Sequence, residues 1–239
     1  MSFETALSHH FPSSLPASEF VRCSYEALRV HGFEASNTIA CVSVCRDELT
    51  RPLAEDIQNT WGEAFNFSSL AGMIFLGKTG FLAAYHHAPN EDGRERYVYF
   101  ALPHVAVSSD GEIGVCSRAG RKESSYACGA LMAFRKELAS GSLRLGLDAD
   151  DLEQSLLKQR LSGKLKGGDI PDLVTLTKIA HHTCLDELER MIALTVDPTR
   201  SHYAVLTGIQ IHGPDRRDFV WPGEAYAVVD GNRHKLSLA

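Results

Sequence analysis

Apolar positions recur along the chain with two different periods, and the switches between them mark the elements. Over residues 16–30 the spacing is helical, with Phe20, Ala27 and Leu28 on the side to be buried, Ser18 as a start signal and Gly32 as a stop. Residues 38–45 are almost continuously apolar and of strand length, which predicts a strand covered on both faces. Arg46, Asp47 and Glu48 end that run abruptly. Open α/β sheets place their chemistry at the carboxyl ends of such strands, so the charged ending marks a candidate site. Helical spacing resumes over 52–65 through Leu53, Ile57, Trp61 and Phe65. Residues 71–76 and 97–107 predict strands, the second rich in aromatic and β-branched side chains. Helices are expected over 126–138, 148–161 and 172–194, the last two opening on an Asp suited to a cap. The last carries an apolar stripe through Leu173, Leu176, Ile179, Ala180, Cys184, Leu188 and Met191. Residues 203–211 and 225–229 predict two further strands. Strands alternating with helices, without a repeat or a linker, predict one α/β domain over 1–239, its sheet mostly parallel in the core and flanked by helices.

Composition narrows the functions open to this fold. At 239 residues and 44% hydrophobic, the chain can bury a core without cross-links. A net charge of -6 argues against nucleic-acid binding and against an anionic membrane surface, both of which need excess Lys and Arg. No apolar run is long enough to span a bilayer, and the first residues lack the pattern of a secretory signal. The expected location is cytoplasmic, or the plastid stroma if a transit segment was removed. The six cysteines therefore read as thiols rather than a disulfide framework. The question they raise is metal binding.

A catalytic zinc site commonly has three protein ligands drawn from Cys, His and carboxylate. Compact Cys pairs of the zinc-ribbon type are absent, and so is the zinc-deaminase signature. What remains is dispersed: Cys45 at the end of the first buried strand, His104 after Pro103 on an apolar strand, and Cys128 opening a helix. Spacing alone leaves these three open between ligands and packing residues, because buried free cysteines are common in cores.

The segments Cys45-Arg46-Asp47-Glu48, Gly93-Arg94-Glu95-Arg96-Tyr97-Val98, Pro103-His104 and Ala127-Cys128-Gly129-Ala130-Leu131 resemble the limiting-CO2-inducible B/C (LCIB/C) family. Further matching segments are Leu157 to Leu161, Leu176 to Ile179, and Tyr203 onward through Thr207-Gly208-Ile209-Gln210-Ile211-His212. The likeness runs in order along nearly the whole chain. Members of the family are similar to β-type carbonic anhydrases, and some are called the theta class. The resemblance implies a β-carbonic-anhydrase-like sheet and a homodimer. It also implies a Zn2+ ion held by Cys45, His104 and Cys128, and reversible hydration of CO2 to bicarbonate by zinc hydroxide. Two thiolates would cancel the charge of the ion, so activity is expected to rise toward alkaline pH. The β-type pattern places an Asp two residues after the first Cys and an Arg four after it. Asp47 fits, but position 49 is Leu. Arg46 is the nearest substitute for the group that holds Asp47 ionised and aimed, and Arg51 is a second candidate. His87, in His87-Ala88-Pro89, fits the family's His-x-Pro pattern and is a candidate proton shuttle, or else part of a surface histidine pair. His181-His182 read as a partly exposed helix face, and the role of His212 stays open. Cys41 reads as core, with Cys23, Cys116 and Cys184.

Two rivals belong to other classes. Residues 72–79, from Gly72 to Thr79, formally match the phosphate-loop pattern, and Asp230 after an apolar run mimics its magnesium partner. Met73-Ile74-Phe75-Leu76 between the glycines reads as strand interior, which does not suit a loop that must aim backbone N–H groups at an anion. The second rival is a non-catalytic zinc-bearing interaction or regulatory protein, with Asp47 on the metal closing the site.

Overall fold

Strands apolar at every position need cover on both faces, and in the computed structural model, which describes residues 1–90, 93–165 and 170–238, they have it. Among the described residues ten strands form: β1 Leu15–Pro16, β2 Ile39–Val44, β3 Ala64–Asn66, β4 Glu95–Leu102, β5 His104–Ala106, β6 Val115–Cys116, β7 Ser125–Tyr126, β8 Ser201–His212, β9 Asp218–Val229 and β10 Asn232–Lys235. Seven helices accompany them: α1 Phe3–His10, α2 Ala17–Arg29, α3 Arg51–Trp61, α4 Gly77–Tyr85, α5 Gly129–Ser140, α6 Leu152–Ser162 and α7 Leu173–Thr195. The main sheet runs β1-β9-β8-β4-β2-β3, with β10 on β9 and β5 on β8. β3, β2, β4 and β8 are parallel, as are β5 and β8, while β9 pairs antiparallel with β8, β1 and β10. β6 and β7 form a separate two-stranded ribbon.

Side-chain alternation sorts the strands between two cores. Ala40, Val42, Val44, Val98, Phe100 and Leu102 pack with Phe20, Leu28, Leu53, Ile57 and Trp61 of α2 and α3. The intervening Cys41, Cys45, Tyr97, Tyr99 and Ala101 pack on the opposite face with Phe81, Leu131, Leu157 and the long buried side of α7. Asp172 caps α7 by accepting the Thr175 N–H at 2.7 Å, as its position predicts. No helix among the described residues is long and apolar enough to cross a membrane.

Several boundaries depart from the sequence reading. Residues 71–76 form no strand: Leu70–Gly72 is a 3-10 turn, and Gly72 (φ +69°) packs so tightly on the Leu102 carbonyl that a Cβ would lie 3.1 Å from that oxygen. Proline has no N–H to donate, so Pro103 divides the expected 97–107 strand into β4 and β5. The helix expected from 126 starts at Gly129, because Ser125–Tyr126 pairs with β6. The strand expected at 225–229 begins at Asp218, and the expected helix over 148–161 begins only at Leu152. Residues 77–79, the last three of the formal phosphate loop, lie in helix α4, while Met73 and Ile74 are buried. Asp230 sits in the β9–β10 turn on Arg94, 2.9 Å away, just before β4 begins. Gly72 packs where β4 ends, so the loop and its supposed magnesium partner are separated by the length of a strand.

Candidate metal centre

Three elements converge at the carboxyl end of the sheet. β2 delivers Cys45 one residue past the end of the strand, in a parallel bridge to Ser69, where the Thr50 hydroxyl donates to the Cys45 carbonyl at 2.8 Å and ties down the turn. The break at Pro103 delivers His104 at the first position of β5. Cys128 stands at the N-cap of α5. Their ligand atoms lie within 4.8 Å of one another, the only such group of three or more His, Cys, Asp or Glu among the described residues. All three side chains are buried.

The donor set suits a borderline cation such as zinc: two sulfurs and one imidazole. The sulfurs of Cys45 and Cys128 are 3.8 Å apart. Cys45 is pulled well below the usual thiol range, chiefly by the hydrogen bond from Cys128, against burial and with help from His104 and the Asp47 backbone N–H. Cys128 is pushed up by Cys45 and by burial. The Ala71 N–H also donates to Cys45 Sγ, at 3.2 Å. On His104, Nδ1 lies 2.9 Å from His212 Nε2, but Nε2 is buried with no hydrogen-bond partner. A buried ring nitrogen without a partner is costly, and a metal ion beside two sulfurs would satisfy it. The residues present therefore fit the ion. The other buried thiols differ. Burial alone pushes Cys41 up, and burial with Glu187 nearby pushes Cys184 up to about 12. Both are packing groups.

Asp47 caps the turn after Cys45 by accepting the Leu49 N–H at 3.1 Å. Its carboxylate is not held by Arg46, as the sequence suggested. Arg118, on the loop after β6, donates from Nη1 to Oδ1 at 2.8 Å and from Nη2 to Oδ2 at 2.7 Å. Its other donors reach Ser125 Oγ at 2.7 Å, the Tyr126 carbonyl at 3.1 Å and the Glu48 carboxylate. Burial opposes ionisation of Asp47, but the Arg118 and Leu49 hydrogen bonds prevail and bring its carboxyl down to about 2. Arg46 points away, to Glu153 of α6, which it meets at 2.6 Å, and Glu153 also accepts the Leu70 N–H at 2.9 Å. Arg51, the second candidate, pairs with Glu55 one helical turn along α3. Neighbouring residues on an extended chain project to opposite sides, so Arg46 is poorly placed to clasp the residue beside it. Arg118 lay between two predicted ligands in sequence, in a Ser/Arg/Gly-rich loop, and that position was its only signal.

His87 does not join this group. It is exposed just past the end of α4, its ring 5.5 Å from Phe65, which pairs with Cys41 four residues before Cys45. His212, left open by the sequence, stands directly behind His104 and lies 2.9 Å from Asp218. Burial lowers its pKa more than Asp218 raises it. His181 is buried against Thr207 at 2.9 Å, whereas His182 is exposed; only the second fits an exposed helix face.

Comparison with known proteins shows the family and the fold. The family model for Limiting CO2-inducible proteins B/C beta carbonic anhydrases matches residues 14–229. The crystal structure of limiting CO2-inducible protein LCIB is 35% identical, covers 98% of each chain and superposes with a TM-score of 0.81. PtLCIB4, described as a homolog of LCIB, is 26% identical over 98% of this chain and 99% of its own, with a TM-score of 0.84. A search of curated proteins returned no match. From the family match over most of its length, the LCIB-like fold and the Cys–His–Cys group at the sheet's carboxyl end, this chain belongs to the LCIB/C family of β-carbonic-anhydrase-like proteins.

Proposed function

We propose that this chain is a zinc-dependent carbonic anhydrase that interconverts CO2 and bicarbonate, acting as a homodimer. The observation that carries the reading is the Arg118–Asp47 clasp beside the Cys–His–Cys group. Cys45, His104 and Cys128 would hold the ion, and zinc bound there supplies the Lewis acidity that turns a water molecule into a nucleophile. The residues around it do the rest. Asp47, kept ionised, accepts a hydrogen bond from the reacting water and so aims its lone pair at the carbon of CO2. Arg118 holds both Asp47 oxygens and keeps that carboxylate from swinging onto the ligand group. That would leave room beside the ligand group for the reacting water. Ala71 stabilises negative charge on Cys45 through its N–H. Arg46 and Glu153 tie α6 to the strand end that carries Cys45, a structural task. His87, exposed to buffer, remains the proposed proton shuttle.

The test is zinc content and stopped-flow CO2 hydration on one preparation. Cys45→Ser is expected to lose zinc and turnover together. Asp47→Ala is expected to keep zinc and lose turnover; full turnover in that variant removes the assigned role. Sedimentation of the same preparation tests the dimer. The burial of all three ligands favours a second reading, a zinc-bearing interaction protein without turnover. One zinc per chain with no hydration at neutral or alkaline pH would select it.

A further inference from the structure

Behind His104 runs a chain of polar groups, buried at Gln210 and His212 and half-buried at Asp218, whose proton positions follow from one another. Asp218 has two neighbours: Oδ1 lies 2.9 Å from His212 Nδ1, and Oδ2 accepts from Gln210 Nε2 at 3.2 Å. An ionised carboxylate only accepts, so Nδ1 of His212 carries a proton. Nε2 of His212, the other nitrogen of that ring, faces His104 Nδ1 at 2.9 Å, and with His212 Nε2 as the acceptor His104 Nδ1 is the donor. The lone pair of His104 is thereby left on Nε2, the buried atom with no hydrogen-bond partner. The opposite arrangement, with N–H groups on both nitrogens of His212, would force the His104 proton onto Nε2. There it would face the two sulfurs and leave His104 no lone pair for a metal.

The register of three strands builds this chain. His104 pairs with Gln210 and Ala106 with His212 between β5 and β8, and His212 pairs with Asp218 between β8 and β9. Residues two apart on a strand share a face, so His104, Gln210, His212 and Asp218 line one side of the sheet. A slip of one residue in either pairing would turn His212 away.

We propose that His212 and Asp218 are a positioning pair that sets the tautomer and ring orientation of His104 for metal binding. The proposal rests on the zinc reading above. Without the His212 acceptor, the His104 Nδ1–H is buried unsatisfied. The proton then moves to Nε2, where it blocks the ligand lone pair, or the ring turns. Either response weakens the metal. Loss of such an outer partner typically costs about 10–100-fold in affinity.

The test measures the zinc Kd of the full chain by competition with a fluorescent chelator, and the absorption spectrum of its cobalt(II) form. His212→Phe is expected to bind zinc about 10–100-fold more weakly and to shift the cobalt ligand-field bands. His212→Gln, whose side-chain oxygen can accept from His104 Nδ1, should recover most of the affinity. Asp218→Ala keeps the acceptor but frees its tautomer, and should weaken zinc by about tenfold. Melting of the metal-free proteins separates this role from packing. A lower melting temperature with unchanged zinc Kd and cobalt bands overturns the proposal. Should His212→Phe not fold, Asp218→Ala decides, and a zinc Kd within about twofold of the parent overturns it. A parent chain that binds no zinc refutes the metal reading and overturns this proposal with it, an outcome distinct from equal binding by parent and variant.

Discussion

Arg118 and Arg46 both form ion pairs near Cys45, and their structural settings predict very different consequences for removing them. The Arg118 and Asp47 side chains are 15% and 11% exposed, and the guanidinium contacts both carboxylate oxygens. Arg118→Ala would leave Asp47 charged, largely buried and supported within this contact set only by the Leu49 N–H. Breaking one side of a buried ion pair costs about 3–5 kcal/mol. The residual exposure of Asp47 argues for the lower end, about 3 kcal/mol. Arg46 and Glu153 are 57% and 30% exposed, and Glu153 would keep its Leu70 N–H. Arg46→Ala should therefore cost about 1 kcal/mol or less. For a domain of this size, each kcal/mol moves Tm by about 2–4 °C, so the expected losses are roughly 6–12 °C and at most about 4 °C. Urea denaturation and thermal melting of metal-free protein measure both. CO2 hydration should fail in Arg118→Ala and persist in Arg46→Ala. Arg118→Lys should recover only part, because an ammonium cannot reproduce a planar clasp on two oxygens. In an Asp47→Asn background, Arg118→Ala should cost markedly less, since no charge is then stranded. An Arg46→Ala loss equal to or larger than that of Arg118→Ala would refute the reasoning.

Four further predictions address other parts of the molecule. Cys41→Ala and Cys184→Ala should each retain the parent's zinc content by elemental analysis, because both thiols are packing groups outside the ligand set. Burial, with His182 nearby, holds His181 down at about 4, against 6.5 for an ordinary imidazole. The unfolded chain binds the extra proton between those values. This contribution is therefore whole above pH 6.5 and is lost as pH falls toward 4, to the extent of about 3 kcal/mol. His181→Gln should flatten the pH dependence of urea unfolding in that window, and an unchanged slope would contradict the assignment. Gly208 lies where a Cβ would meet the Trp221 carbonyl at 2.6 Å, a backbone atom that cannot step aside, so Gly208→Ala should destabilise by about 1–3 kcal/mol in the same assay. His87→Ala should slow hydration at low buffer concentration and recover in concentrated imidazole. Unaltered turnover at low buffer would end the shuttle role.

The sequence by itself determined the fold class and the elements whose own side chains carry the signal. β2 was legible because a strand covered on both faces must be apolar throughout, and α7 because its buried stripe repeats with the helical period. The positions of Cys45, His104 and Cys128 could be listed, and the LCIB/C resemblance grouped them, but no local pattern marks a set of ligands spread over 84 residues, from 45 to 128. Only the tertiary structure decided what stands next to what. Arg118 reaches Asp47 from 71 residues away, and Asp218 reaches His104 through His212 because β5, β8 and β9 lie in one register. The break at Pro103 and the close approach of Gly72 to the Leu102 carbonyl likewise concern backbone packing at the end of β4. Periodicity reports which face of an element is buried, a property each segment carries alone. Partners in an ion pair or hydrogen-bond chain are chosen by how the sheet is assembled, and short-range pattern holds no record of that choice.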